Sequence, residues 1–154
     1  KPYPAAPSFF ATTAATHDPR YLSMRARGIG CLAFVGLGVV AGKGVELVLT
    51  LGTGMGFALY VDGRYVPNLE MAHHPFRKSK TYEETIGNAA RLAVGNKTWN
   101  KRVRRVLELV QRIFNPDIIY VGGGNAEKLK GDLPANVKRV ENVAGLLGGI
   151  ALWR

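Results

Sequence analysis

One cysteine, Cys31, in 154 residues leaves no partner for an internal disulfide and no thiolate set for a multi-cysteine zinc site. That usage fits a reducing compartment, and a cytoplasmic location is expected. Acidic residues are scarce as well: 11 Asp and Glu stand against 21 Lys and Arg, for a formal net charge of +10. A surface of that sign attracts polyanions in general, from nucleotides and polyphosphate to nucleic acid or an anionic membrane, and does not choose among them. Long hydrophobic runs are missing. The longest, from Cys31 to Gly42, is too short to cross a bilayer and is closed off by Arg27 and Lys43, so no membrane span is expected. The opening KPYPAAPSFFATTAAT begins with Lys1 and carries prolines and threonines where a secretory signal needs an apolar core, so it reads as no signal and as a piece of a longer chain.

What is present is ordinary globular material. With 47% hydrophobic and 21% charged residues the chain can build one core, burying roughly two thirds of its unfolded surface. Residues 1 to 35 show little periodicity, with prolines at 2, 4, 7 and 19, and are expected to be irregular. Beyond them the pattern is regular. VELVLTL (45 to 51), FALYV (57 to 61) and RYV (64 to 66) read as a three-stranded antiparallel meander, the last two joined by the turn Asp62-Gly63. Thr81 with Glu84 forms a capping box for a helix that Gly95 should stop. A second helix is expected from about Thr98 to Asn115, apolar on one face through Trp99, Val103, Val106 and Val110, basic on the other through Lys101, Arg102, Arg104, Arg105 and Arg112, and ended by Pro116. DIIYVGGG (117 to 124) reads as a buried strand, NAEKLK as a short helix, ANVKRV (135 to 140) as a strand and 141 to 153 as a closing helix. The order β-β-β-α-α-β-α-β-α predicts an α/β fold with a mixed sheet flanked by helices.

Glycine patterns carry the functional signal. Gly36, Gly38 and Ala41 fit a dinucleotide-binding spacing, but a strand begins at 45 where the motif requires a long helix. Gly42-Lys43 fails as a phosphate-binding P-loop, with Leu37 at the leading glycine position and Gly44 where Ser or Thr should follow. LGTGMG differs because it joins two strands. Its glycines let backbone N–H groups line up on a phosphoryl oxygen, and Thr53 adds a hydroxyl; read alone, it is equally a tight turn. GGGNAEK (122 to 128) lies between strand and helix, where a flat ring or sugar can rest against bare backbone.

The combination LTLGTGMGFALYVDGRYVPNLEMAHH, IIYVGGGNAEKL and VENVAGLLGGIALW resembles the C-terminal half of sugar kinases of the ROK family (repressor, open reading frame, kinase), above all its polyphosphate glucokinase-like branch, over residues 36 to 154. The resemblance implies an actin-like, ribonuclease H-like lobe and phosphoryl transfer from ATP or polyphosphate to the 6-hydroxyl of glucose or a related hexose, with magnesium. It implies that Gly52, Thr53 and Gly54 bind donor phosphate and that Gly122, Gly123 and Gly124 border the donor site. Glu70 and His73, in EMAHH, match a Glu-x-Gly-His sugar motif, with Ala72 in place of the glycine. Relatives with structural zinc pair this histidine with a cysteine cluster; none exists here, and no zinc is expected.

The resemblance also leaves gaps. The catalytic aspartate should lie just upstream of GLGVVAGKG, but residues 28 to 34 hold no carboxylate, and Asp18, in THDPR, does not match. The first phosphate loop is likewise not found, so the chain is expected to be catalytically impaired, its catalytic residue unassigned. The alternative is a non-catalytic sugar- or polyanion-binding or regulatory module. The basic helix face and RKSK (77 to 80) read either as solvated charge or as a track for a long polyanion, polyphosphate before nucleic acid. The small-residue face of 141 to 153 suggests a homodimer.

Overall fold

The structure, a computed structural model, describes residues 39–66 and 69–140. The expectations for 1 to 35, for Gly36 and Gly38, and for the closing helix with the dimer it suggested lie outside the described residues.

Strand β1 (Val45–Leu51) pairs antiparallel with β2 (Met55–Val61), which pairs antiparallel with β3 (Arg64–Val66). The meander forms as its alternation demands: Leu47, Leu49 and Leu51 bury one face, and Val48 the other. β2 starts two residues before the predicted boundary, because Leu51 pairs with Met55 and Thr50 with Gly56, which shortens the turn to 52–54. Asp62 (φ 49°) and Gly63 (φ 74°) take the left-handed conformations of a two-residue hairpin turn.

Helical signals are displaced by glycine. Thr81 and Glu84 complete the capping box at α1 (Tyr82–Ile86), and these hydrogen bonds hold the Glu84 carboxyl below the usual carboxylate range. That contribution to stability is present above the ordinary carboxylate pKa and is lost as pH falls through the lowered one. α1 ends after five residues, because Gly87 adopts extended backbone where a Cβ would meet the carbonyls of Glu83 and Thr53, each at 2.8 Å. α2 (Asn88–Phe114) then runs on with one non-helical residue, Gly95 (φ 75°), where the first helix was expected to stop. Asn115, left-handed at φ 44°, caps it before Pro116.

β6 (Ile118–Gly122) returns parallel to β1, and β7 (Val137–Arg139) lies parallel to β6. The five-stranded order is therefore β3-β2-β1-β6-β7, a mixed sheet, as expected. A separate small hairpin, β4 (Pro75–Arg77) with β5 (Lys80–Thr81), precedes α1. The segment NAEKLK is a single 3₁₀ turn, Ala126–Lys128, rather than a regular short helix. α2 covers one sheet face with Trp99, Val103, Val106, Leu107 and Val110, packed on Leu47, Leu49, Ile119 and Val121. Trp99 is fully buried, and its indole N–H donates to the Ile86 carbonyl at 2.7 Å, fastening α1 to α2.

The rejected P-loop reading has a structural answer. Glu46, fully buried in β1, accepts from the backbone N–H groups of Ala41 (2.7 Å), Gly42 (2.7 Å) and Lys43 (3.1 Å) and from the Tyr120 hydroxyl (3.0 Å). The amides before β1 close on an internal carboxylate, which satisfies a buried charge that would otherwise be costly.

Candidate functional site

Parallel pairing of β1 with β6 sets Thr50 opposite Gly122, so the turn after β1 and the turn after β6 emerge side by side at the carboxyl ends of neighbouring strands. That is where α/β sheets form ligand crevices. An open cleft of about 310 Å³ lies there, lined by Thr50, the run 52–56 and Gly123.

Backbone anchoring decides what the turn offers the cleft. The Gly52 carbonyl accepts from the Asn88 N–H (3.1 Å) and from the Asn125 amide (3.0 Å), and the Thr53 carbonyl accepts from the same Asn88 N–H (3.0 Å). In a planar trans peptide the N–H points opposite to the C=O, so holding these two carbonyls inward turns the N–H groups of Thr53 and Gly54 outward. Neither N–H has an acceptor among the described residues. The anchors are themselves held. The Asn125 amide also donates to Asn88 Oδ1 at 3.3 Å, and Arg91 donates to that oxygen through Nε (3.2 Å) and Nη2 (3.0 Å). Asn125→Leu, which keeps the volume and removes the amide, is expected to weaken tripolyphosphate binding about tenfold, the loss of one good hydrogen bond, with glucose affinity unchanged in calorimetry.

Gly123 closes the other wall. It sits at φ 90°, where a Cβ would lie 2.5 Å from the Leu51 carbonyl oxygen and 2.8 Å from its nitrogen. The three glycines of 122–124 thus part company: Gly123 lines the cleft, Gly122 is buried against Val140, and Gly124 is exposed with open space where its Cβ would be.

The sugar-motif residues lie at and beside a 3₁₀ turn, Met71–His73. Glu83, in α1, connects that turn to the 52–54 turn: a Cβ at Gly54 would collide with its carboxylate, and its Oε2 is 3.7 Å from His73 Nδ1. The 52–54 turn and His73 therefore each lie beside an oxygen of one carboxylate. Glu70 is exposed and acts electrostatically on Tyr65, whose hydroxyl is pushed up first by burial and then by that carboxylate; no side-chain bond joins Glu70 to the His73–Glu83 pair. Sequence reading missed Glu83 because its only visible role was as a first-turn acid behind a capping box. It missed Asn88 and Asn125 because hydrogen bonding to a distant carbonyl has no local signature.

Among the described residues no group of three or more His, Cys, Asp or Glu could hold a metal ion. Phe76 stacks on Tyr82 at 4.6 Å and His74 lies 6.2 Å from the same ring, so aromatic packing secures the hairpin before α1. No helix among the described residues is long and apolar enough to cross a membrane.

This mixed sheet flanked by helices is the fold of solved ROK sugar kinases. A ROK-family glucokinase from Streptomyces griseus, solved with glucose and AMPPNP, superposes with TM-score 0.56 over 84% of this chain and 70% of its own, at 14% identity. An inorganic polyphosphate/ATP-glucomannokinase from Arthrobacter sp. strain KM gives TM-score 0.66 over 80% of this chain and 55% of its own, at 28% identity.

In sequence, the chain is a homologue of polyphosphate glucokinases over 70% of its length. It is 29% identical to the protein of Mycobacterium leprae, covering 37% of that protein, and 31% identical to that of Mycobacterium tuberculosis, covering 45%. It spans less than half the length of these curated relatives, which fits a C-terminal half. No protein-family model matches the chain.

Proposed function

We propose that this chain supplies the donor-phosphate loop and part of the sugar-binding wall of a hexose kinase that passes a phosphoryl group from polyphosphate or ATP to the 6-hydroxyl of glucose or a related hexose. The observation that carries the reading is the outward pair of amides at Thr53 and Gly54, opening on a cleft shared with Gly123 and adjoining Glu83 and His73. Preorganised N–H dipoles stabilise the charge that builds on a transferring phosphoryl group and need no rearrangement as it does so. Glu83 and His73 offer an acceptor and a donor to neighbouring sugar hydroxyls. Magnesium would travel on the donor's phosphates, because among the described residues only Glu83 brings a carboxylate to the loop and that cation keeps most of its ligands as water and phosphate.

Residues 28 to 34, where the resemblance places the catalytic base, hold no carboxylate, so the 154-residue chain is expected to bind both ligands and turn over slowly. Calorimetry with glucose and with tripolyphosphate tests the binding, and a coupled glucose 6-phosphate assay with ATP and with polyphosphate tests turnover. Binding of neither ligand would remove the kinase reading; binding of both without turnover would favour the non-catalytic module. Glu83→Gln should weaken glucose binding by about tenfold or more, since it removes the ionised acceptor, and leave tripolyphosphate affinity unchanged or higher, since it also removes a like charge beside the loop.

A further inference from the structure

α2 changes character at Gly95. There the backbone (φ 75°, ψ 159°) leaves helical geometry for a region open essentially to glycine alone. A Cβ at Gly95 would meet nothing within 4 Å, so no neighbour imposes the glycine; only the bend requires it. Gly87, with extended backbone, stands at the other end, which leaves residues 88–94 as a helical stub with a glycine joint on each side. The stub is thinly packed. None of its residues is buried and Leu92 is 69% exposed, whereas beyond the joint α2 buries Trp99, Val103, Val106, Leu107 and Val110. Where packing is thin, hydrogen bonds set the position and local opening is easier.

The same stub backs the 52–54 turn. Asn88, its first residue, holds the Gly52 and Thr53 carbonyls through its N–H, and its Oδ1 accepts from Asn125. Arg91 makes three side-chain bonds: Nε (3.2 Å) and Nη2 (3.0 Å) donate to Asn88 Oδ1, and Nη1 (2.9 Å) donates to Asn96 Oδ1, beyond the joint. Among the described residues no other side-chain hydrogen bond runs from the stub across Gly95. Asn96 belongs to the well-packed part of α2. Its carbonyl accepts from the Asn100 amide (2.8 Å), and Asn100 is buried and tied to the backbone of Lys128 and Lys130. Both acceptors of Arg91 are neutral amide oxygens, and a guanidinium reaches the two together because its N–H groups form a rigid planar fork. A lysine ammonium carries the same charge without the fork.

We propose that Arg91 is a positioning residue for the 52–54 turn: it latches the joint at Gly95, so that the stub holds Asn88, and through Asn88 the two carbonyls, in one orientation. Arg91 touches neither donor nor sugar in this role and acts only through Asn88. The proposal rests on the donor reading above and adds to it a point outside the cleft from which the geometry of the turn is set. With the latch open, rotation at Gly95 moves Asn88, and the outward N–H groups of Thr53 and Gly54 lose their common direction, to which tight phosphate binding is sensitive.

The test uses the full chain and two readouts: amide exchange at Asn88 in the free protein, whose N–H is released when the stub leaves the turn, and tripolyphosphate affinity by calorimetry. Asn96→Ala removes only the far acceptor. It is expected to speed exchange at Asn88 about tenfold and to weaken tripolyphosphate by a similar factor. Asn96 is exposed and alanine is the better helix former, so thermal stability should hold or rise, which separates the latch from a merely structural role. Asn96→Asp keeps the acceptor and should return exchange to the wild-type rate and affinity to within about twofold. Arg91→Lys keeps the charge without the fork and should weaken tripolyphosphate as much as Asn96→Ala does, with glucose affinity within about twofold in each variant. Wild-type exchange and affinity in Asn96→Ala would overturn the latch while the donor reading stands. Wild-type affinity in Arg91→Lys would do the same, since charge rather than geometry would then be what Arg91 supplies. Faster exchange with unchanged affinity would show a stub that moves without disturbing the turn, and the positioning role would be wrong. If wild type binds no tripolyphosphate, the donor reading fails and the positioning role fails with it.

Discussion

Gly123→Ala is expected to abolish tripolyphosphate binding and to lower stability by about 3 kcal/mol or more, the sum of left-handed strain and overpacking. Both effects share one origin. At φ 90° an added Cβ would stand 2.5 Å from the oxygen and 2.8 Å from the nitrogen of Leu51, and those are backbone atoms of a fully buried β1 residue that cannot rotate aside. Relief requires moving the turn after β6 away from β1, which opens the wall of the cleft and pulls Asn125 off the Gly52 carbonyl. The outward amides of Thr53 and Gly54 then lose their anchor. Calorimetry and urea unfolding measure the two losses, and Gly124→Ala, with open space at its Cβ, is the matched control that should change neither. Wild-type phosphate affinity in Gly123→Ala would show that the donor does not use this cleft.

Trp99→Ala is expected to remove about 4 kcal/mol or more, enough to leave a domain of ordinary stability largely unfolded. The side chain is fully buried among the α2 and sheet residues, so its loss leaves a large cavity, and the Ile86 carbonyl loses the indole N–H at 2.7 Å. Trp99→Phe separates the contributions: it keeps most of the packing and should cost about 1–3 kcal/mol, chiefly the orphaned carbonyl. Because Ile86 is the last residue of α1 and Glu83 stands three residues before it, Trp99→Phe should also loosen glucose binding more than tripolyphosphate binding. Urea denaturation and calorimetry check both statements, and an Ala variant as stable as wild type would mean that α1 is not held through this indole.

The elements that sequence made legible are those whose physics is local. Alternation in VELVLTL, the Asp62-Gly63 turn, the capping box at Thr81 and Glu84, and the apolar stripe from Trp99 to Val110 each state their conformation within a few residues, and the structure contains them. The helix boundaries were less legible, for a reason visible at Gly87. That glycine looks like a tolerated interior residue, yet it ends α1 because carbonyls of Glu83 and Thr53 occupy the space a side chain would need. Gly95, by contrast, looked like a stop, but α2 continues beyond it after one left-handed residue, with Arg91 bonded to Asn96 Oδ1 at 2.9 Å across the break.

The candidate site divides in the same way. Glycine turns at 52–54 and 122–124 were visible as places where backbone could meet a ligand, since freedom at φ is a property of the residue itself. Which glycine faces the cleft was not visible: Gly122 packs against Val140 and Gly123 turns to the opening, a distinction made by β1 lying beside it. Glu83, Asn88 and Asn125 gave no signal, because their roles consist of close approaches or bonds to the 52–54 turn, 29 to 73 positions away.

By itself, then, the amino-acid order determined a basic chain with strand, turn and helix in a set succession and two bare glycine bends capable of receiving phosphate. Only the tertiary structure decided that β6 inserts parallel to β1, setting those bends side by side, that the amides of residues 41–43 are spent on Glu46, and that those of Thr53 and Gly54 are left facing outward. The reason is range. Dihedral preference and periodicity act over one or two turns of chain, whereas the direction in which a peptide group points is set by whichever distant partner holds its carbonyl.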